Sequence, residues 1–231
     1  MANKFWISRG VKLIENIKYF WIALLLLIVS SAITVQFPHA VPFGETIMTA
    51  LHFPPQPMNG LQYVGITSLI LFIVSLFFLT RSLERYHKRA VFLWILVTIY
   101  VPALVVNSYQ ETFATGIYAV SYDRDSSICE FEMIGESNMD GECELVFENK
   151  SEEDVQFTVT FYDKHQYDDE LLVLSLMNDK TPFVMSLQGK ETKTVKLRKK
   201  IDVSDRENHV DWASTSSVHI IMKSDEKLRK L

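Results

Sequence analysis

Charge is missing from three long stretches of this 231-residue chain: residues 19–37, 61–80 and 90–106 contain no Asp, Glu, Lys or Arg. A helix in a water-soluble core keeps a polar face toward solvent, and these runs are apolar all round, which excludes that setting. At 1.5 Å per residue each extends roughly 25 to 30 Å, the thickness of a bilayer's hydrocarbon core. Lys and Arg are also absent from residues 38–60, whereas residues 1–18 carry Lys4, Arg9, Lys12 and Lys18, and the loop before the third run carries Arg81, Arg85, Lys88 and Arg89. By the positive-inside rule the expected topology has residues 1–18 in the cytoplasm, a three-helix region at 19–106, and residues 107–231 outside the cytoplasm, in a plasma membrane.

The other scarcities narrow function. Ionisable groups at membrane depth would mark an ion or proton path, and their absence from the spans argues against a stand-alone transporter. Pro102 is the one proline inside a span and predicts a helix kink there, while Ser30, Ser31, Ala32, Gly65 and Ser68 permit close helix contact. The alternative for the first run is a cleaved signal peptide ending at Ser30-Ser31-Ala32; it conflicts with the apolar continuation through Ile33, Val35 and Phe37. No glycine loop of the phosphate-cradling kind occurs, Met139 stands where a nucleophile elbow would need its second glycine after Ser137, and Ile128 and Ile134 replace the turning Gly and the bidentate Glu of a calcium loop beginning at Asp123. No cofactor is expected. Five prolines bracket a short apolar helix at about 43–53; His39, Glu45 and His52 around it are potential metal ligands, but their spacing of six and seven does not align them on one helical face.

With only two cysteines, both beyond residue 107, a cysteine-rich metal site is excluded. Cys129 and Cys143 lie in alternating segments whose parity points both to the same core, so a disulfide is expected, contributing about 3 kcal/mol by the chain-entropy argument, with two buried free thiols as the alternative. A direct cross-strand pair would centre the hairpin at residue 136, whereas Ser137-Asn-Met-Asp-Gly141 signals a later turn. Period-two alternation recurs at 115–122, 129–133, 143–147, 155–161, 171–177, 183–187, 195–201 and 218–222, giving seven or eight strands. The predicted fold class is therefore a three-helix transmembrane bundle followed by an all-β antiparallel sandwich of immunoglobulin type. The sequences LVFENKS at 145–151, VQFTVTFY at 155–162 and LQGKETKTV at 187–195 resemble extracytoplasmic immunoglobulin-like or fibronectin III-like modules of bacterial envelope proteins. That resemblance implies a sandwich and carries no functional residues with it; the Trp and disulfide spacing of antibody domains is absent.

Charge is sharply divided. Residues 1–106 hold eight basic and three acidic side chains, residues 107–170 three and 17, and residues 171–231 12 and eight. The acidic region repels phosphate, so no nucleic acid is expected. Lys190, Lys193, Lys196, Arg198, Lys199 and Lys200 form a basic run that suits an anionic partner or a solvated strand face. Asn149-Lys-Ser151 is a glycosylation sequon. The expected partners are the lipid bilayer and another membrane or envelope protein, and the expected role is a membrane-anchored binding or scaffolding module. The alternatives are an envelope enzyme using the 38–60 loop and a small accessory or immunity-type membrane subunit.

Overall fold

The Asn16 side chain accepts hydrogen bonds from the backbone N–H groups of Lys18 and Tyr19 and so starts the first helix. This is a computed structural model, and it describes residues 14–52, 62–135, 137–163, 174–178, 182–204, 211–216 and 218–231. The chain divides into two compact units: residues 1–37 with 41–105, and residues 38–40 with 106–231.

The first unit is helical: α1 Ile17–Thr34, α2 Phe43–Ala50, α3 Tyr63–Ser82 and α4 His87–Thr112, which continues into the second unit. α1, α3 and α4 are long and apolar enough to cross a membrane. Serine side chains link these helices. Ser30 and Ser68 join α1 to α3 at 3.1 Å, and Ser75 donates to the Ala23 carbonyl while accepting from the Trp94 indole N–H at 2.9 Å. Small side chains let the backbones approach, and the buried Ser30 and Ser75 hydroxyls are satisfied across the helix interface, while buried Ser82 donates to the Leu79 carbonyl of its own helix. Gly65, expected at such a contact, is exposed; Gly44 of α2 instead makes the close approach, since a Cβ there would lie 2.8 Å from Val64. Pro102 lies inside α4, where it has no N–H to offer the Thr98 carbonyl.

The second unit contains two antiparallel four-stranded sheets, ordered β5-β2-β1-β6 and β4-β3-β7-β8. The strands are β1 Val120–Met133, β2 Asn138–Asn149, β3 Val155–Phe161, β4 Phe183–Leu187, β5 Thr192–Asp202, β6 Trp212–Ser216, β7 Ile220–Ser224 and β8 Lys227–Lys230. Phe131, Leu145 and Phe147 of one sheet and Phe157, Val159 and Met222 of the other share a single buried cluster, so the two inner faces form one core. The rings of Phe147 and Phe157 meet edge to face across it at 5.6 Å.

Five segments differ from the sequence expectation. The strands expected at 115–122 and 129–133 are one element, because β1 stays paired to β2 through an irregularity between Asp123 and Ile128; residues 116–118 form a 3₁₀ turn before it. Residues 174–178, placed in a strand at 171–177, form another 3₁₀ turn: the Asp163 carboxylate accepts from the N–H groups of Leu174 and Ser175, and Asn178 bonds both backbone groups of Phe161. β6 and β8 were not anticipated. The β1–β2 turn lies around Gly135, at φ +81°, and not at 137–141.

Gly141 is a strand residue paired directly with Phe131, and a Cβ there would lie 2.7 Å from Met177 Sδ and 3.0 Å from the Phe131 ring. The glycine makes room for an aromatic ring rather than for a bend. Gly141→Val is expected to destabilise the β unit by roughly 1 to 3 kcal/mol through overpacking, read as a lower denaturant midpoint at unchanged slope.

Candidate functional site

Cys129 and Cys143 are direct cross-strand partners of β1 and β2, both fully buried, and are joined by a disulfide with Cα atoms 4.1 Å apart. The hairpin therefore centres where direct pairing requires, and the bond staples the middle of one sheet. Asn149, where β2 ends, is also fully buried. Its amide donates to the carbonyls of Glu153 at 2.7 Å and Gln188 at 2.9 Å, and its oxygen accepts from the N–H and hydroxyl of Ser151. Both amide hydrogens are committed to the turn, so the sequon is closed to glycosylation in the folded protein.

A second buried polar centre gathers around β8. Arg229, only 4 % exposed, sends Nε to the Pro38 carbonyl at 2.7 Å and Nη1 to the carbonyls of Ile117 at 2.7 Å and Val120 at 2.6 Å. Burial pulls its pKa down to about 10, opposed by Tyr118. Beside it Ala40 N–H donates to the Lys230 carbonyl, and Lys230 N–H donates to His39 Nδ1 at 3.1 Å. His39 accepts only while neutral, and desolvation, then the nearby Arg229 charge, hold its pKa below the ordinary imidazole value. Protonation would remove the acceptor and set a second cation beside the guanidinium. This contact is complete above the unfolded imidazole value near pH 6.5 and is lost as pH falls through the lowered folded value.

Of the three potential metal ligands, His39 thus belongs to the unit containing β8, whereas Glu45 and His52 belong to the helical one. Among the described residues no three His, Cys, Asp or Glu side chains converge on a metal position. His165 and His209 lie outside the described residues. His219 stacks near Tyr162 with ring centroids 5.3 Å apart, and the Lys230 ammonium sits 4.3 Å over the Tyr162 ring. Nearby, the Tyr122 hydroxyl donates to the Val218 carbonyl at 2.8 Å, and burial pushes its pKa up to about 12. A phenol held protonated above its unfolded value near 10 stabilises the fold below pH 10 and loses that contribution as pH rises through 12. Tyr122→Phe is therefore expected to flatten the fall in stability between pH 10 and 12 relative to the wild type, and to remove the latest phenolate absorbance step.

The basic run does not share one face. Strand parity places Lys196, Arg198 and Lys200 outward, while Lys199 lies on the opposite side, its ammonium donating to the Met177 carbonyl at 3.0 Å and lying over Phe183. Lys193 is 3.8 Å from Glu191, and Lys190, at φ +59° in the turn before β5, donates to the Lys150 carbonyl. Lys196 pairs with Glu144, and Arg198 Nε donates to Asp140 at 2.8 Å.

Those outward cations are one edge of a regular surface. Register sets Lys200, Asp140, Glu132 and Trp212 in one row across the sheet, Arg198, Glu142, Glu130 and Ser214 in the next, and Lys196, Glu144, Ile128 and Ser216 in the third. Glu130 directly faces Glu142, and Trp212 is 62 % exposed. Among the described residues no ion pair reaches Glu130, Glu132 or Glu142. Alternation in β1 and β2 shows that these carboxylates point outward; only the pairing shows that they are neighbours and that an indole ends their row. Comparison with protein-family models, curated proteins and solved structures gives no match to this chain.

Proposed function

We propose that this chain is a three-span plasma-membrane protein whose region 107–231 is an immunoglobulin-like or fibronectin III-like module, working outside the cytoplasm to bind or scaffold another membrane or envelope protein. The observation that carries the reading is a buried disulfide in a two-sheet unit that continues directly from α4, one of three helices of membrane-crossing length. Persistent disulfides belong to oxidising compartments, and loop charge independently assigns that side to residues 107–231. Strand connectivity supports the immunoglobulin-like part. β1 and β2 form a hairpin in one sheet, β3 and β4 one in the other, the chain returns to add β5 beside β2, and β7 and β8 close the second sheet. Two features depart from antibody domains: the disulfide joins neighbours within a sheet, and β6 is added beside β1.

Labelling with a membrane-impermeant maleimide in intact cells tests the topology. Ala50→Cys and Glu152→Cys should react, and Glu84→Cys only after permeabilisation; reaction at position 84 alone would reverse the orientation. Photo-crosslinkers placed at exposed positions around both sheets test the binding role. The reading predicts a discrete adduct from at least one face at native expression, and none from any face would end it.

A further inference from the structure

The outer surface of β6-β1-β2 has a composition that the sheet itself does not explain. Like charges directly opposite on neighbouring strands destabilise a sheet, yet Glu130 faces Glu142. Glu132 lies opposite Asp140 in the next row, where Arg198 is paired with Asp140 and Glu132 has no such partner among the described residues. The cations of β5 offset part of the repulsion: Lys196 and Arg198 are engaged by Glu144 and Asp140 and also attract Glu142, which leaves Glu130 and Glu132 farther from them. Trp212, exposed beside Glu132, adds an aromatic surface of the kind that anchors interfaces and attracts cations to its face.

We infer that this face docks a cationic, extended segment of a partner protein, with Trp212 as the anchor and Glu130, Glu132 and Glu142 as its charge partners. The inference rests on the binding-module reading and names what such a module takes. Charge complementarity selects the occupant: a nucleic acid or an anionic lipid surface meets three carboxylates, whereas Lys or Arg side chains meet their counter-ions and an indole. Spacing selects its conformation. Outward residues recur every second position along β1, and an extended segment presents its own side chains at that same repeat, about 6.5 to 7 Å. The β5 cations repel such a segment and so confine it to the β1 and β6 side, where the edge strand β6 offers Ser214 and Ser216 hydroxyls.

The test uses the full chain in zwitterionic nanodiscs and a fluorescein-labelled peptide of alternating lysine and valine, followed by anisotropy at low and high salt. Wild-type protein is expected to bind in a salt-sensitive manner. The set Glu130→Gln, Glu132→Gln and Glu142→Gln should weaken binding by about tenfold or more, and Trp212→Ala by several fold. The set Glu152→Gln, Glu153→Gln and Glu226→Gln removes the same charge elsewhere and should leave affinity within about twofold. These side chains are exposed, so unchanged circular dichroism is expected for every variant. Equal loss from both glutamine sets, indifference to Trp212→Ala, or no salt-sensitive binding by the wild type would overturn the inference. If it falls while a crosslinker on another face still captures a protein, the binding role stands and only its location is wrong.

Discussion

Arg229→Met should lower the unfolding free energy of the β unit by about 3 kcal/mol or more, among the largest effects of any single substitution in the chain. The guanidinium supplies donors to the carbonyls of Pro38, Ile117 and Val120, and methionine fills similar volume with no donor. A buried carbonyl left without a partner costs about 1 to 3 kcal/mol, while the Gln110 amide that also reaches the Val120 carbonyl and relief from burying a charge return part of the sum. Arg229→Lys is expected to fall between the two, because a single ammonium cannot serve acceptors reached from both Nε and Nη1. Pulse proteolysis across a denaturant series measures both variants against the wild type. A loss below about 1 kcal/mol for Arg229→Met would mean that these carbonyls find water or other donors. The same experiment reads the tie to residues 38–40: if Arg229 holds them, cleavage near Pro38 accelerates in the variant before global unfolding does.

Removing the disulfide should have a comparable effect by a different route. The bond closes a loop of 14 residues, for which chain entropy assigns about 3 kcal/mol. Replacing Cys129 and Cys143 together by alanine adds a smaller packing loss, since both positions are fully buried between the sheets. The double variant is expected to unfold at lower denaturant and to be indifferent to reductant, whereas the wild type should shift toward it when reduced. Wild-type stability that ignores reductant would show that the bond contributes nothing beyond its packing. Because the cysteines are direct partners in the register, reduction should leave β1 and β2 paired and change stability more than structure.

The two substitutions show where sequence pattern succeeds and where it inverts. Cysteine parity predicted a shared core position, and the structure places both side chains there, because alternation in a strand is a local rule that each residue obeys by itself. Arg229 follows no such rule. In β8 Leu228 is 48 % exposed and Arg229 is buried, the reverse of what hydrophobicity alone selects. Three carbonyls from distant parts of the chain make the exchange favourable, and no window of sequence contains them. Gly141 misled in the same way: Asp-Gly reads as a turn, but the absent side chain serves the ring of Phe131 on the neighbouring strand.

From the sequence alone came the three charge-free apolar runs, the alternating strands of the β unit, the disulfide partners and the charge asymmetry, because length, period two and net charge are properties of contiguous residues. The tertiary structure decided which strands are neighbours. It joined β6 to β1, brought residues 38–40 onto β8, split the basic run between two sides of β5, and aligned Glu130 with Glu142 beside Trp212. Apart from the split of the basic run, which is strand parity, these are pairings set by register and by the hydrogen-bonding needs of buried groups, and local composition is silent about both.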